Sequence, residues 1–304
     1  MNYVIGDVHG RYDKMLRALE AAGFDRENDT LYSVGDFSDR GPDSRKVIEY
    51  LMGLGDRFRT VFGNHDIWLY QFLKAGCFYA TDEEWEKLRE DHSLSHEFIG
   101  KGTVAVWNGD AMDDDVFSCW LNNGGKETVR SFEGLSADER ERILVWLGKM
   151  PYRIETERFI IQHTFCSPRK DFFPDGNYSV GMGDLLEDGR IRRDYDETFW
   201  DREMIRYSKA VSGEGAYEMT PEISRNITGK TLIVGHTPVI GYDLPSDPVY
   251  DRELNFILID TGSFVDDPRR YWVKEAGAVT VLNLDTLDWF TSLGKHGTFH
   301  PERA

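Results

Sequence analysis

The chain has 304 residues, of which 40% are hydrophobic and 13% aromatic, and its formal net charge at pH 7 is −18. This composition excludes an intrinsically disordered chain and is sufficient to bury a substantial core. The excess of acidic side chains repels nucleic-acid phosphates, and no block of lysine or arginine interrupts it, so we expect no nucleic-acid partner. The length predicts a single domain over residues 1–304, enlarged by insertions.

Three further features bear on the compartment. The N-terminus lacks a basic region followed by an apolar stretch of signal-peptide length, and no apolar run approaches the about 18–20 residues of a membrane helix. Cys77, Cys119 and Cys166 are far apart and odd in number, which is not a disulfide framework. We therefore predict a cytoplasmic protein without a membrane partner.

The N-terminal part of the chain predicts alternating strands and helices. Short apolar, β-branched runs at residues 3–5, 30–34 and 57–62 are typical of buried strands. Residues 11–23 and 42–54 carry apolar side chains at helical spacing, the first closed by a glycine and the second opened by a proline. This β-α-β-α-β order favours parallel strands joined by right-handed crossovers.

Two less regular regions follow, and we interpret them as insertions at about residues 67–150 and 164–225. The first has capping-box patterns at residues 81–84 and 136–139. We therefore predict a largely helical insertion that lies over the sheet.

Strand patterns return after each insertion. They occur at residues 158–162, in the stretches 231–236 and 255–262, and in a final hairpin over residues 278–290. The complete pattern predicts a protein of the α/β class.

Polar side chains follow five of the predicted strands at the point where each strand ends. In an open α/β sheet, binding sites gather beyond the carboxyl ends of the strands, so we expect these side chains to converge. Each alone has an ordinary structural explanation, such as a turn residue or a satisfied histidine, but five together do not. The side chains are Asp7, His9, Asp36, Asn64, His65, His163 and His236.

This set of side chains is typical of a metal site. Imidazole nitrogens suit manganese, iron, zinc or nickel, while carboxylate and amide oxygens suit harder ions. A mixed nitrogen and oxygen set without thiolate predicts two divalent ions, with Asp36 as a bridge between them. Manganese is the first candidate for their identity. Two such ions about 3.5–4 Å apart can activate a bridging water and hold a transferring phosphoryl group.

The blocks GDVHG, GDFSDRG, GNHD, IIQHT and VGHT occur in this order between Gly6 and Thr237. They resemble those of the calcineurin-like metallophosphoesterases, and within them the phosphoprotein phosphatases of the bacteriophage and bacterial type. The resemblance implies a four-layer αββα sandwich, with two mixed sheets packed face to face and helices outside. It also implies metal-ligand roles: Asp7 and His9 for the first ion, Asp36 as the bridge, and Asn64, His163 and His236 for the second.

The same resemblance implies roles in catalysis. His65 resembles the histidine that protonates the leaving oxygen, and Asp39 would orient it and hold it protonated. Arg40 resembles the arginine that grips the substrate phosphate, since its fork matches phosphate oxygens. Arg202, in FWDRE, is a second phosphate-binding candidate or else a surface ion-pair partner.

Two other stretches resemble blocks of the bacteriophage-type enzymes. CWLNNGGKET, residues 119–128, resembles their WLxNGG stretch, but it is also compatible with an ordinary loop. IDTG, residues 259–262, resembles the block after their last histidine.

The chain departs from the bacteriophage-type pattern at two positions. Phe62 stands where those enzymes have an arginine, and Asp66 replaces the usual Glu. GNHD is the form associated with the diadenosine tetraphosphate hydrolases of the same superfamily. Those enzymes usually lack the carboxylate that this chain has at Asp39.

Three functions are therefore open. The first is a serine/threonine protein phosphatase acting on a phosphorylated protein or a small phosphoester, and the second is a symmetrical diadenosine tetraphosphate hydrolase. The third is a scaffold that retained the fold and binds a protein partner. Five aromatic residues are candidates for stacking on a base, although helical spacing favours core positions for them: Trp68, Tyr70, Trp85, Trp107 and Trp120.

Overall fold

The computed structural model describes residues 1–75, 78–80, 95–100, 103–107, 114–165, 173, 176–187, 199–218 and 229–300. Within these ranges, only the backbone is described for residues 78–80, 95–100, 103–107 and 114. Helices and strands are numbered in chain order over the described residues. The capping-box pattern at residues 81–84, Trp85, Cys77 and Cys166 lie outside them.

The first sheet has six strands in the order β14-β13-β12-β1-β2-β3. These are β1 (Asn2–Ile5), β2 (Thr30–Ser33), β3 (Phe58–Thr60), β12 (Thr280–Asn283), β13 (Asp288–Thr291) and β14 (His296–Thr298). β1, β2 and β3 are parallel, which confirms the prediction from the β-α-β-α-β pattern. β12 and β13 form the predicted hairpin, and β12 joins β1 in antiparallel register.

The second sheet has five strands in the order β10-β11-β9-β8-β7. They are β7 (Arg153–Glu155), β8 (Phe159–Gln162), β9 (Thr231–Val234), β10 (Val249–Asp251) and β11 (Phe256–Leu258). β8, β9 and β11 are parallel, whereas β7 and β10 pair antiparallel at the two edges. Both sheets are therefore mixed.

A third, three-stranded sheet lies within the region predicted to be largely helical. Its strands are β4 (Phe78–Ala80), β5 (Ser95–Gly100) and β6 (Thr103–Trp107), paired antiparallel in the order β4-β6-β5. The other described elements of this region are helices, so the prediction of a largely helical insertion is confirmed for them, but it did not include these three strands. A five-residue run such as TVAVW is too short for periodicity to separate a strand from a buried helical turn, and only pairing decides it.

The helices follow the predicted amphipathic patterns. Ser136 accepts a hydrogen bond from the backbone of Glu139 at the start of one of them, which confirms the second capping box. The helices are α1 (Tyr12–Ala21), α2 (Ser44–Met52), α3 (Asn64–Lys74), α4 (Asp114–Trp120), α5 (Lys126–Ser131), α6 (Ala137–Gly148), α7 (Met182–Glu187), α8 (Glu203–Tyr207), α9 (Lys209–Ser212) and α10 (Pro268–Tyr271). A π-helical segment, Leu121–Gly125, joins α4 to α5.

Three hydrophobic clusters separate the layers. In β1, Val4 belongs to the cluster between the two large sheets, whereas Tyr3 and Ile5 belong to the cluster that packs against helices, as the alternation of side chains along a strand requires. The outer face of the second sheet forms a third cluster with residues of α8 and α9. The layers are helix, sheet, sheet and helix, which confirms the predicted αββα sandwich. Over the described residues, no helix has the length and apolarity needed to cross a membrane.

Candidate metal centre

The predicted ligands converge at one edge of the two large sheets. Asp7 and His9 follow β1, Asp36 follows β2, His163 follows β8 and His236 follows β9, while Asn64 and His65 begin α3. None of these seven residues is more than 6% exposed. The carboxyl ends of parallel strands bring them together from positions far apart in the chain.

Asp36 lies at the centre of this cluster. It belongs to two groups of side chains with metal-ligand spacing, one with His9 and His65 and the other with His163 and His236. Its Oδ2 lies 3.4 Å from Nε2 of His163 and 3.7 Å from Nε2 of His9. A carboxylate shared by two ligand groups is the arrangement needed to bridge two ions.

Backbone carbonyls determine which nitrogen of two histidines faces Asp36. Nδ1 of His9 is 2.9 Å from the Ser38 carbonyl oxygen, and Nδ1 of His163 is 2.7 Å from that of Val34. An Nδ1–H that donates to a carbonyl leaves the lone pair on Nε2, the nitrogen turned toward Asp36. Both rings are thus oriented as metal ligands usually are.

Asn64 and Asp7 complete the second side of the cluster. Oδ1 of Asn64 is 2.9 Å from Nδ1 of His236 and 3.1 Å from Nε2 of His163. Oδ2 of Asp7 accepts a hydrogen bond from the His236 backbone, while its buried Oδ1 has no partner among the described residues. Asp7 is outside both of the tightly spaced groups, so the structure places it beside them rather than within them.

The buried carboxylates leave this region short of positive charge. Burial raises the pKa of Asp7 well above its usual value, and the negative charge of Asp260 raises it further. Burial also raises the pKa of Asp260, to about 6. For Asp36 the effect of burial is outweighed by the neighbouring imidazoles of His163 and His65, which hold its pKa well below the ordinary range. Cations at this position would stabilise all three carboxylates.

Two glycines make room for the carboxylates. A Cβ at Gly63 would lie 2.1 Å from Oδ1 of Asp36, and one at Gly235 would lie 2.0 Å from Oδ1 of Asp7. Together with the unpartnered Asp7 oxygen and the nitrogen and oxygen donors, this close packing fits a pair of divalent ions.

His65 and Asp39 form a buried pair next to the ligand cluster. Nδ1 of His65 is 2.6 Å from Oδ2 of Asp39. The same carboxylate accepts hydrogen bonds from Nε1 of Trp120 at 2.8 Å and from Oγ1 of Thr128 at 2.6 Å. His65 has the spacing of a ligand, but the Asp39 contact orients its ring in the way an acid–base histidine requires.

Arg40 reaches across the site, and Arg202 approaches it from the surface. The two Nη atoms of Arg40 lie 2.8 Å from Nε2 of His9 and Nε2 of His65. Arg202 is exposed, yet its charge is close enough to add to burial and His163 in lowering the pKa of His236. Arg40 thus contacts the cluster directly, whereas Arg202 acts on it through its charge.

Left-handed backbone conformations are concentrated at this site. A positive φ is uncommon for residues other than glycine, and such strain persists where surrounding structure enforces it. Five of the predicted residues have φ between 48° and 72°, namely His9, Asp36, Asp39, Arg40 and His236. Strained turns after β1, β2 and β9 thus aim these side chains toward the centre of the site.

The segment at residues 119–128 is not an ordinary loop, so that alternative is wrong. It forms the end of α4, the π-helical segment and the start of α5. Gly124, at φ 110°, passes so close that a Cβ would lie 2.5 Å from the Arg40 nitrogen, and its carbonyl accepts the Arg40 N–H at 3.1 Å. The asparagine–glycine composition is typical of a loop. The packing partner of this segment, Arg40, is remote in sequence, so local composition could not indicate the contact.

The two departures from the bacteriophage-type pattern have structural explanations. Phe62 is buried against Tyr152 and Phe199, so this position supplies no charge to the site. Asp66 accepts backbone hydrogen bonds from Gly63 and from the turn after β2, at Asp36 and Phe37. Asp66 thus connects the GNHD turn to the turn after β2. Both of its carboxylate oxygens accept backbone hydrogen bonds, so neither is available to contact a substrate.

Other residues have surroundings that their sequence context did not indicate. Asp260 is fully buried beside Asp7. Its place in the IDTG block is the sequence feature that could have marked it as a site residue. Trp68 is in the core, where it contacts the rings of His65 and Trp200. Tyr70 is also buried, and so is Trp120, so neither offers a free face to a base.

Comparison with known families and proteins agrees with this geometry. A family model described as calcineurin-like phosphoesterase matches residues 3–259. Among curated proteins, the symmetrical bis(5'-nucleosyl)-tetraphosphatase of Hamiltonella defensa is 50% identical over 68 residues, 22% of this chain and 25% of that protein. The corresponding protein of Aeromonas hydrophila is 47% identical over 89 residues, 29% of this chain and 32% of its own length. The matched part thus spans about a third of these relatives or less.

Solved structures resemble the chain over nearly its whole length but with low identity. A cold-active protein-tyrosine phosphatase of a psychrophilic Shewanella is 14% identical, with a TM-score of 0.46, covering 98% of this chain and 80% of that one. A metallophosphoesterase from Sphaerobacter thermophilus is 15% identical, with a TM-score of 0.41, covering 98% and 89%.

Proposed function

Because the chain belongs to the calcineurin-like phosphoesterase family, and is thus a metal-dependent phosphoester hydrolase, we propose that it hydrolyses phosphate monoesters of serine and threonine in proteins. The observation that carries this proposal is the buried contact between Nδ1 of His65 and Oδ2 of Asp39. A serine or threonine alkoxide is a poor leaving group and needs a proton as it departs. A histidine oriented by a carboxylate supplies that proton near neutral pH.

The surrounding residues take complementary roles in this proposal. Two divalent ions, manganese first, would be held by Asp7, His9, Asp36, Asn64, His163 and His236. Such ions activate water and neutralise phosphate charge. Arg40 would grip the phosphate oxygens, and Arg202 would approach the same phosphate from the exposed side.

A second candidate substrate is diadenosine tetraphosphate. The curated relatives that match the chain are symmetrical bis(5'-nucleosyl)-tetraphosphatases, which is the observation in its favour. Asp66 lends it no support, since that side chain is occupied by backbone hydrogen bonds. The leaving group of that reaction is a nucleoside diphosphate, which departs without the proton that the pair of His65 and Asp39 would supply.

The deciding experiment compares the two substrates on one preparation. The purified protein is stripped of metal, reloaded with manganese and given a phosphothreonine peptide or diadenosine tetraphosphate, with inorganic phosphate and ADP measured separately. We expect rapid phosphate release from the peptide and little ADP.

Rapid ADP release with a slow peptide reaction would overturn the monoester proposal in favour of the dinucleotide. Absence of turnover of either substrate with manganese, iron, zinc and nickel would favour the scaffold function instead.

A further inference from the structure

The ring of Phe264 lies beneath the guanidinium of Arg40. Cζ of Arg40 is 4.4 Å from the centroid of that ring, which is the distance of a cation–π contact. The same ring meets His9 edge-on, with centroids 5.6 Å apart. Phe264 therefore touches both the candidate phosphate-binding arginine and a candidate metal ligand.

An aromatic support suits an arginine that must bind phosphate. Among the residues that the structure describes, no carboxylate forms an ion pair with Arg40, and its Nη atoms are directed at the rings of His9 and His65. A carboxylate would orient the guanidinium but would compete with phosphate for its N–H groups. A ring face packs against the planar group without occupying any of its in-plane N–H groups.

The loop that carries Phe264 is fastened to the first helix of the chain. Arg11 donates from Nη2 to the Phe264 carbonyl at 2.8 Å. Nζ of Lys14 donates to the carbonyls of Ser263 at 2.7 Å and Gly277 at 2.9 Å, on either side of the loop.

Both basic side chains also pair with Asp266, two residues beyond Phe264. Lys14 is 9% exposed overall, so its charge is largely removed from water and used within the fold. A buried lysine is retained only where hydrogen bonds and an opposite charge compensate its desolvation, and here all of those partners lie in or beside one loop. The position of Phe264 is therefore set by the segment that directly follows His9.

We propose that Phe264 is a positioning residue that aligns Arg40 for phosphate binding, held in place by Arg11 and Lys14. This inference rests on the proposed function insofar as Arg40 is taken as a phosphate ligand. It requires no particular leaving group, because the guanidinium would contact the phosphate itself.

The test compares Phe264→Leu, which keeps apolar volume but removes the ring face, with Phe264→Tyr, which keeps the face. Inorganic phosphate is used as a competitive inhibitor of aryl phosphate hydrolysis on the manganese-loaded protein. We expect the inhibition constant to rise roughly 5- to 30-fold in F264L and to stay near the parental value in F264Y. Manganese bound per chain should be the same in all three proteins.

A double-mutant cycle separates positioning from a general structural effect. In an Arg40→Ala background, F264L should have no further effect on phosphate inhibition, because the group it positions is gone. Phe299→Leu is the matched control, since Phe299 is half-buried against Tyr250 and Trp289 in another part of the fold. It should leave phosphate inhibition unchanged.

Two results would overturn the inference. One is an equal effect of F264L with and without Arg40, and the other is an equal loss in F264L and F264Y. Inorganic phosphate and the aryl ester serve both candidate substrate classes. A preference for the dinucleotide would therefore refute the proposed function and leave the positioning role of Phe264 intact.

Discussion

At the scale of single residues, the buried carboxylate of Asp39 has three side-chain partners in the site. Asp39 has no exposed surface, and its carboxylate accepts from Trp120 and Thr128 while contacting His65. Charge-assisted hydrogen bonds of this kind are stronger than neutral ones and fix the geometry of their partners. The negative charge faces a single ionisable ring, so its loss should act mainly through that ring.

Asp39→Asn should therefore separate substrates by their leaving group. We expect hydrolysis of a phosphothreonine peptide to slow by about 10²–10⁴-fold, the usual contribution of a general acid, because His65 loses the carboxylate that orients its ring for proton transfer. Hydrolysis of p-nitrophenyl phosphate, whose leaving group needs no proton, should slow much less. Steady-state kinetics on both substrates measures this, and equal losses would remove the acid role from His65.

Asp260 gives the metal-free protein a predictable response to pH. Burial raises the pKa of Asp260 to about 6, above the usual value for an aspartate. The folded state therefore holds the proton more tightly than the unfolded state. The contribution of the protonated Asp260 carboxyl to the free energy of unfolding is complete below the unfolded pKa of about 3.9. It is lost as the pH rises through about 6.

Asp260→Asn should reduce that loss. With metal removed by a chelator, the parent is expected to lose stability between pH 4.5 and 7, and the D260N protein to lose less, because its amide does not ionise. Urea unfolding at the two pH values gives the comparison. Identical pH dependence in both proteins would show that Asp260 is not the group responsible.

At the scale of elements, the segment from α4 to α5 acts as one wall of the site. It supplies Trp120 and Thr128 to Asp39 and places the backbone of Gly124 against Arg40. The left-handed Gly124 allows this approach, since any side chain there would collide with the Arg40 backbone. This part of the insertion region is thus joined to the strand-end turns.

Trp120→Phe should weaken activity more than stability alone explains. The substitution removes the N–H that donates to Asp39 but keeps an aromatic ring in the core. Loss of a hydrogen bond to a charged partner should slow peptide hydrolysis by roughly tenfold or more. Phe117→Leu is the control, because Phe117 contacts the Trp120 ring without bonding to Asp39. Equal activity in the two variants at matched stability would contradict this role.

At the scale of the whole molecule, the candidate metal centre lies where the two large sheets meet. Its side chains come from the ends of strands in both sheets, so bound ions would link the two halves of the sandwich. Ions that bind the folded state and not the unfolded state stabilise the fold by mass action.

Metal removal should therefore lower thermal stability. Manganese at 100 times its dissociation constant would add about 2.7 kcal/mol for each ion bound, or roughly 4 °C in Tm for a chain of this size. Asp36→Asn should abolish most of this gain, because Asp36 belongs to both ligand groups. Melting curves with chelator and with manganese test the prediction, and an equal gain in D36N would argue against a bridging role.

The sequence by itself determined the features that are local along the chain. Short apolar strands each followed by a polar residue, helical spacing between them and the order of the motif blocks are all properties of neighbouring residues. From these came the parallel β1-β2-β3 arrangement and the list of residues that the structure brings together. The αββα layers followed from the resemblance of the motif blocks to a known family.

Only the tertiary structure decided the contacts between remote segments. Trp120 and Thr128 reach Asp39 across 81 and 89 residues, and Phe264 reaches Arg40 from the opposite end of the chain. The pairing of β4, β5 and β6 is of the same kind. Periodicity and propensity report on side chains within a few positions, whereas these contacts depend on how the packed layers place distant turns against one another.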